Sequence, residues 1–206
     1  MNIIKPSYEL LSPINREEVL KNLELAGRNC YKSEKNIDEN SAGKFLKMMI
    51  AHGTESVLEH EKVTVRFICD RGVTHELVRH RLASYSQEST RYCNYGKKGG
   101  ELTFIKPSWV EDEYDVNYQL WLSSMQHAED TYLKMLECGW APQQARSVLP
   151  NSLKTDIIMT ANIREWRTIF KLRCSPKAHP QIREIMIPLY EHFKAVLPEL
   201  FEDIEF

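Results

Sequence analysis

A mixed α/β (α+β) fold is predicted by three patterns in the sequence: one domain of residues 1–206, with a central, largely antiparallel sheet flanked by helices. Residues 61–69 alternate Val63, Val65 and Phe67 with Lys62, Thr64 and Arg66, the period of a half-buried strand. Ile182, Ile185, Met186, Leu189, Phe193, Val196 and Leu197 recur at the three- and four-residue spacing of one helix face. A long helix is expected near 110–138, with Tyr118, Leu122, Met125, Tyr132 and Leu136 on its stripe and Gly139 as its C-cap. A chain of 206 residues is long enough for one such domain with a sizeable core.

The remaining elements follow from local signals. Residues 2–10 read as a strand. Asn15-Arg16-Glu17-Glu18 forms a capping box, and Val19, Leu20, Leu23 and Cys30 make one stripe of a helix ending near residue 31. A second helix is expected over 41–52, carrying Phe45, Met48 and Met49. Asp70-Arg71-Gly72 interrupts the 61–69 strand, and Thr74 can cap a helix running to about Ala83. Lys97-Lys98-Gly99-Gly100 reads as a loop before a short strand at 102–105. Pro142 suits the first turn of a short helix ending before Pro150. A strand at 153–161 and helices near 164–173 and 180–197 complete the chain, which has no repeat or linker-like run.

Composition narrows the function. Lys and Arg total 27 against 29 Asp and Glu, a net charge of −2, which argues against a protein held to nucleic acid by bulk charge. No apolar run reaches the roughly 20 residues of a membrane span, and the start lacks a secretory pattern, so a cytoplasmic location is expected. The five cysteines are scattered without a CxxC pair, which gives neither a disulfide framework nor a thiolate metal site. His75-Glu76-Leu77-Val78-Arg79-His80 is one residue too long for a zinc HExxH motif; on one helix its two rings would diverge, and no metal is expected.

The chemistry concentrates between Arg79 and Tyr92. Arg79-His80-Arg81 on a helix would fan out at about 100° each, so they cannot all serve one salt bridge. The following stretch, Ser84 to Asn94, is dense in hydroxyls, amides and charged groups. Arginine forks and short hydroxyl donors suit a phosphate, and Gln or Glu side chains suit a pyrimidine edge. Arg173 follows Trp166, Ile169 and Phe170 on one stripe, which makes it half-buried and in need of a polar partner. A rival reading is an RNA- or nucleotide-binding module with Tyr85, Tyr92 and Tyr95 as stacking surfaces, but the balanced charge counts against it.

Arg79-His80-Arg81, seven residues and then Ser89 resembles the signature of flavin-dependent thymidylate synthases. The resemblance continues through Arg91, Arg146 before Val-Leu-Pro, Asn162-Ile163-Arg164, Arg173 and His179-Pro180-Gln181. It implies methylation of dUMP at C5 to dTMP, with 5,10-methylenetetrahydrofolate as carbon donor, tightly bound FAD as hydride carrier and NADPH as reductant. It also implies a homotetramer with active sites where subunits meet. By the same resemblance, dUMP is bound by Glu76, Arg79, Gln87, Glu88, Ser89, Thr90, Arg91, Arg146 and Arg173. Ser56, Arg79, His80, Arg81, Gln87, Asn162, Arg164, Thr168 and His179 are expected at the flavin. Arg173 is the expected catalytic group, polarising the uracil ring and favouring ionisation at N3. Cys93 and Cys174 flank these segments, but neither is expected to act as a nucleophile.

Overall fold

The computed structural model describes residues 1–97 and 102–206. Most of the expected 97–100 loop therefore lies outside the described residues. The mixed α/β class is borne out. Strands β1 (Asn2–Ile4) and β5 (Thr103–Ile105) pair in parallel, with Ile3 opposite Phe104. An antiparallel sheet takes the order β2 (Ser7–Leu10), β3 (Lys62–Asp70), β6 (Lys154–Asn162), β4 (Ala83–Gln87). The single strand expected at 2–10 is thus two, broken at Lys5-Pro6. Proline has no amide to donate to a ladder, and the two pieces join different sheets.

The helices are α1 (Arg16–Tyr31), α2 (Ser41–Ala51), α3 (Arg71–Leu77), α4 (Val116–Glu137), α5 (Pro142–Ala145), α6 (Ile163–Arg173), α7 (Pro180–Val196) and α8 (Pro198–Phe201). Asn15 caps α1 by accepting from the Glu18 amide, as the capping box predicts. Within α1, Val19, Leu20 and Leu23 are buried but Cys30 is exposed. The buried face turns instead through Glu24 and Gly27. At Gly27 an added Cβ would lie 2.6 Å from the Phe45 ring of α2, so only glycine admits that close packing. Met48 of α2 is likewise exposed, and Leu46 takes its place in the core.

Two further corrections bear on function. Helix α3 is capped by Asp70, whose carboxylate accepts from the Val73 amide at 2.7 Å, while the Thr74 hydroxyl donates to the Arg71 carbonyl. It ends at Leu77, not at Ala83, so Arg79, His80 and Arg81 lie between helix and strand and do not fan around a helix. The sheet claims the residues beyond: Ala83 opens β4 beside β6, and the His80 carbonyl accepts the Tyr85 hydroxyl at 2.8 Å. The long helix α4 starts at Val116, not near 110. Asp115 caps it through the Asn117 and Tyr118 amides, after turns at Pro107 and Asp112.

Two compact units divide the chain. One comprises residues 1–7, 67–79 and 86–158, and the other 8–66, 80–85 and 159–206; β3 and β6 contribute to both. The core of the first contains Leu102, Phe104, Met125, Tyr132 and Leu153. In the second, Phe170 packs edge-on against Phe193, Tyr190 and Phe201 with ring centres 5.2–5.8 Å apart, and Trp166 stacks beside them.

Candidate functional site

The first unit holds most of the expected dUMP residues. Strand β4 ends at Gln87, whose amide donates to the hydroxyls of Thr74 and Thr155 at 3.1 and 3.2 Å. Glu88 anchors the next step: its amide donates to the Asp156 carbonyl, and its carboxylate accepts from Tyr95 at 2.7 Å and pairs with Lys154 at 2.9 Å. The chain then turns tightly over Ser89, whose carbonyl accepts from the amides of Tyr92 and Cys93 and whose hydroxyl accepts from the Arg91 amide.

Thr90 is buried at the centre of this turn. Its Oγ1 accepts from Arg146 Nη1 at 3.1 Å, which leaves the hydroxyl proton able to donate. Arg146 opens the 3-10 turn at 146–148 and is exposed. Arg91 is exposed too, with its guanidinium 5.3 Å from the Tyr92 ring centre. The arrangement puts two guanidinium-bearing segments beside a short hydroxyl donor, which suits an anion. Glu76 is half-buried on α3, and Arg79 is exposed just beyond it.

The second unit holds the other group. Asn162 caps α6 by accepting from the Glu165 amide at 2.8 Å, and His179 caps α7 through Nδ1 and the Gln181 amide. Arg164, in the first turn of α6, pairs with Glu59 at 2.5 Å. The Thr168 hydroxyl donates to the Arg164 carbonyl. Ser56 lies exposed on the 3-10 turn Glu55–His60, and Arg81 is exposed. A cavity of about 490 Å³ lies near this turn, lined by Arg28, Tyr31, Phe45, His52 and Thr54 among others.

His80 is not at the surface. It is buried, with Nε2 accepting from Arg173 Nε at 3.0 Å and Nδ1 3.3 Å from Glu165 Oε1. Burial, and then the Arg173 charge, lower its pKa to about 4, and burial raises that of Glu165. Arg173 is half-buried at the end of α6, as its stripe predicts.

Sequence reasoning missed Arg167, which is 1% exposed. Its two terminal nitrogens meet the Asp203 carboxylate at 2.7 and 2.6 Å; the same guanidinium reaches Glu55 at 3.2 Å and the Leu200 carbonyl. Asp203 in turn is held below its ordinary pKa, chiefly by that hydrogen bond. The signal was present, because Ile163, Trp166, Arg167 and Phe170 share one helical stripe. Burial raises the thiols of Cys69 and Cys174, the latter to about 12, so neither supplies a thiolate near neutrality. Among the described residues, no group of three or more His, Cys, Asp or Glu side chains is arranged to hold a metal ion.

Fold and side chains define a mixed α/β protein with an arginine–hydroxyl turn suited to anions and a buried His80–Glu165 pair that meets the half-buried Arg173. Residues 13–199 match the family described as thymidylate synthase complementing protein, and the chain belongs to that family. It is 36% identical to the flavin-dependent thymidylate synthase of Pyrococcus furiosus over 156 residues, 75% of this chain. That match spans 64% of the Pyrococcus protein, less than two thirds of its length. The protein of the same name from Geobacter sulfurreducens is 35% identical over 186 residues, covering 87% of this chain and 79% of the relative. The one from Mycobacterium tuberculosis is 35% identical over 201 residues, 89% and 78%. The resemblance carried by Arg79-His80-Arg81 and Ser89 is thereby borne out. No helix among the described residues is long and apolar enough to cross a membrane.

Proposed function

We propose that this chain is a thymidylate-forming enzyme that methylates dUMP at C5, acting as one catalytic domain in a cytoplasmic homotetramer. The observation that carries the reading is the Ser89–Arg91 turn with Arg146, inside the segment that matches the family. Thr90, Arg91 and Arg146 hold the nucleotide phosphate through charge-assisted hydrogen bonds, and Ser89 adds a hydroxyl to the same turn. Glu76, Arg79, Gln87 and Glu88 orient the nucleoside. Arg173 lies beside the pyrimidine and stabilises the negative charge that develops as N3 ionises and C5 becomes nucleophilic.

The donor set of the second unit fits a flavin dinucleotide. Arg164 near the N-terminus of α6, Arg81 and the Asn162 amide suit a diphosphate, while Ser56, Thr168 and His179 offer further polar contacts. FAD, when bound, supplies hydride transfer; 5,10-methylenetetrahydrofolate is the carbon donor and NADPH the reductant. The residues of this chain bind, orient and stabilise charge, and no thiol nucleophile is required.

Anaerobic turnover of dUMP labelled at C5 tests the reading. Label release and dTMP formation should require flavin, folate and NADPH together. Release without folate, or no release with all three present, would contradict it.

A further inference from the structure

We propose that Glu165 and His80 are positioning residues for Arg173: the carboxylate orients the imidazole, and the imidazole aims the guanidinium. The inference rests on the reading of Arg173 as the group beside the pyrimidine, and it gives His80 a role other than flavin contact.

The argument starts from hydrogen-bond chemistry. A guanidinium has donors only, so the 3.0 Å contact from Arg173 Nε makes His80 Nε2 the acceptor. A neutral imidazole with an acceptor at Nε2 carries its proton on Nδ1. That nitrogen faces Glu165 Oε1 at 3.3 Å, so the N–H points at a carboxylate. The ring is therefore engaged at both nitrogens within the protein. It is 5% exposed and Glu165 is 7% exposed, so water competes weakly for either contact.

The backbone fixes the pair as well. The Glu165 amide is tied to Asn162 at the start of α6, and Arg173 closes the same helix about two turns later. His80 comes from the segment before β4, where its carbonyl accepts the Tyr85 hydroxyl at 2.8 Å. Among the described residues, the charged and titratable groups at the imidazole are Glu165 and Arg173 from α6, while Tyr85 from β4 meets the His80 carbonyl. Burial and Arg173 keep the imidazole neutral down to about pH 4, which preserves the acceptor across the working range. A protonated ring would present an N–H to the Arg173 N–H and release the guanidinium from its direction.

Variants separate positioning from flavin contact. His80→Leu and Glu165→Leu should lower kcat about a hundredfold, by misplacing a charge-stabilising group, while bound flavin absorbance and thermal unfolding above pH 7 show a folded holoenzyme. His80→Gln, whose amide keeps an acceptor and a donor, should recover part of that loss. In an Arg173→Ala background, His80→Leu should cost nothing further, because its effect passes through Arg173. Additive losses, or loss of flavin from His80→Leu alone, would overturn the inference. A second readout stands apart from turnover: ¹⁵N resonances of labelled histidine should show His80 as the Nδ1–H tautomer in wild type, and Glu165→Leu should disturb it. An Nε2–H tautomer in wild type would overturn the pair even if dTMP is made. If wild type makes no dTMP while that tautomer is present, the proposed reaction falls and the Glu165–His80–Arg173 geometry stands.

Discussion

Arg146 in the first unit and Arg167 in the second carry the same guanidinium and do opposite things with it. Arg146 is exposed, and its hydrogen-bond partner among the described residues is a neutral hydroxyl, that of Thr90. Arg167 is buried, and two carboxylates and a carbonyl surround it. Burial accounts for the difference. A desolvated cation must be paired or it destabilises the fold, so a buried arginine is committed to structure. One at the surface beside a neutral partner keeps its charge for a ligand. Arg173 stands between these cases, half-buried and aimed through Nε by a neutral imidazole.

The comparison can be broken by substitution, and the largest effect is expected at Arg173. Arg173→Ala should keep the flavin and lose about a hundredfold or more in kcat, the scale of removing one preorganised charge-stabilising donor. Turnover near the wild-type rate would refute its placement beside the pyrimidine.

Next is the Arg167 network. Asp203→Ala should destabilise the chain by about 3 kcal/mol, since Arg167 stays buried with Glu55 as its one remaining carboxylate partner among the described residues. Arg167→Met should cost less, because the carboxylates it abandons are partly exposed and can hydrate. Urea unfolding of both variants measures the order, and the reverse order would mean that Arg167 is not the group whose burial sets the cost.

Acid sharpens the contrast between the groups. His80 has a folded pKa of about 4 against an ordinary value of 6.5, so the unfolded chain binds more protons between those values. Stability should therefore fall as pH drops from about 6.5 to 4, by up to about 3 kcal/mol. Asp203, with its pKa lowered, loses its contribution only at lower pH, below its ordinary 3.8. His80→Gln should flatten the upper window and leave the lower one, as urea midpoints across pH would record.

The smallest effect is at the turn. Thr90→Val removes the hydroxyl that meets Arg146 and should raise the KM for dUMP about fivefold, the worth of one hydrogen bond, with kcat nearly unchanged. An unchanged KM would remove Thr90 from the phosphate site.

Much of this molecule was legible in its sequence. The β3 alternation, the Asn15 cap, the α6 and α7 stripes and the Gly139 stop all act through neighbours a few residues away. Gly139 indeed takes a positive φ of 93°. What escaped depends on distant partners. Helix α3 stops early because Ala83–Gln87 joins the sheet beside β6, and the 2–10 strand splits because its halves join different sheets. At the candidate site, the motif identified the residue set, but not that His80 is buried against Glu165 or that Arg167 is paired with Asp203. Those pairings span 85 and 36 positions along the chain and leave no local pattern.

The central claim is that the Thr90–Arg146 pairing holds a nucleotide phosphate with charge the fold does not require. Calorimetric titration of wild type and Arg146→Ala with dUMP and with deoxyuridine, alongside urea unfolding, tests it directly. The account predicts that wild type strongly prefers dUMP, and that Arg146→Ala loses most of that preference at unchanged unfolding stability. Equal affinity of wild type for both ligands, or full retention of the preference in Arg146→Ala, would contradict it.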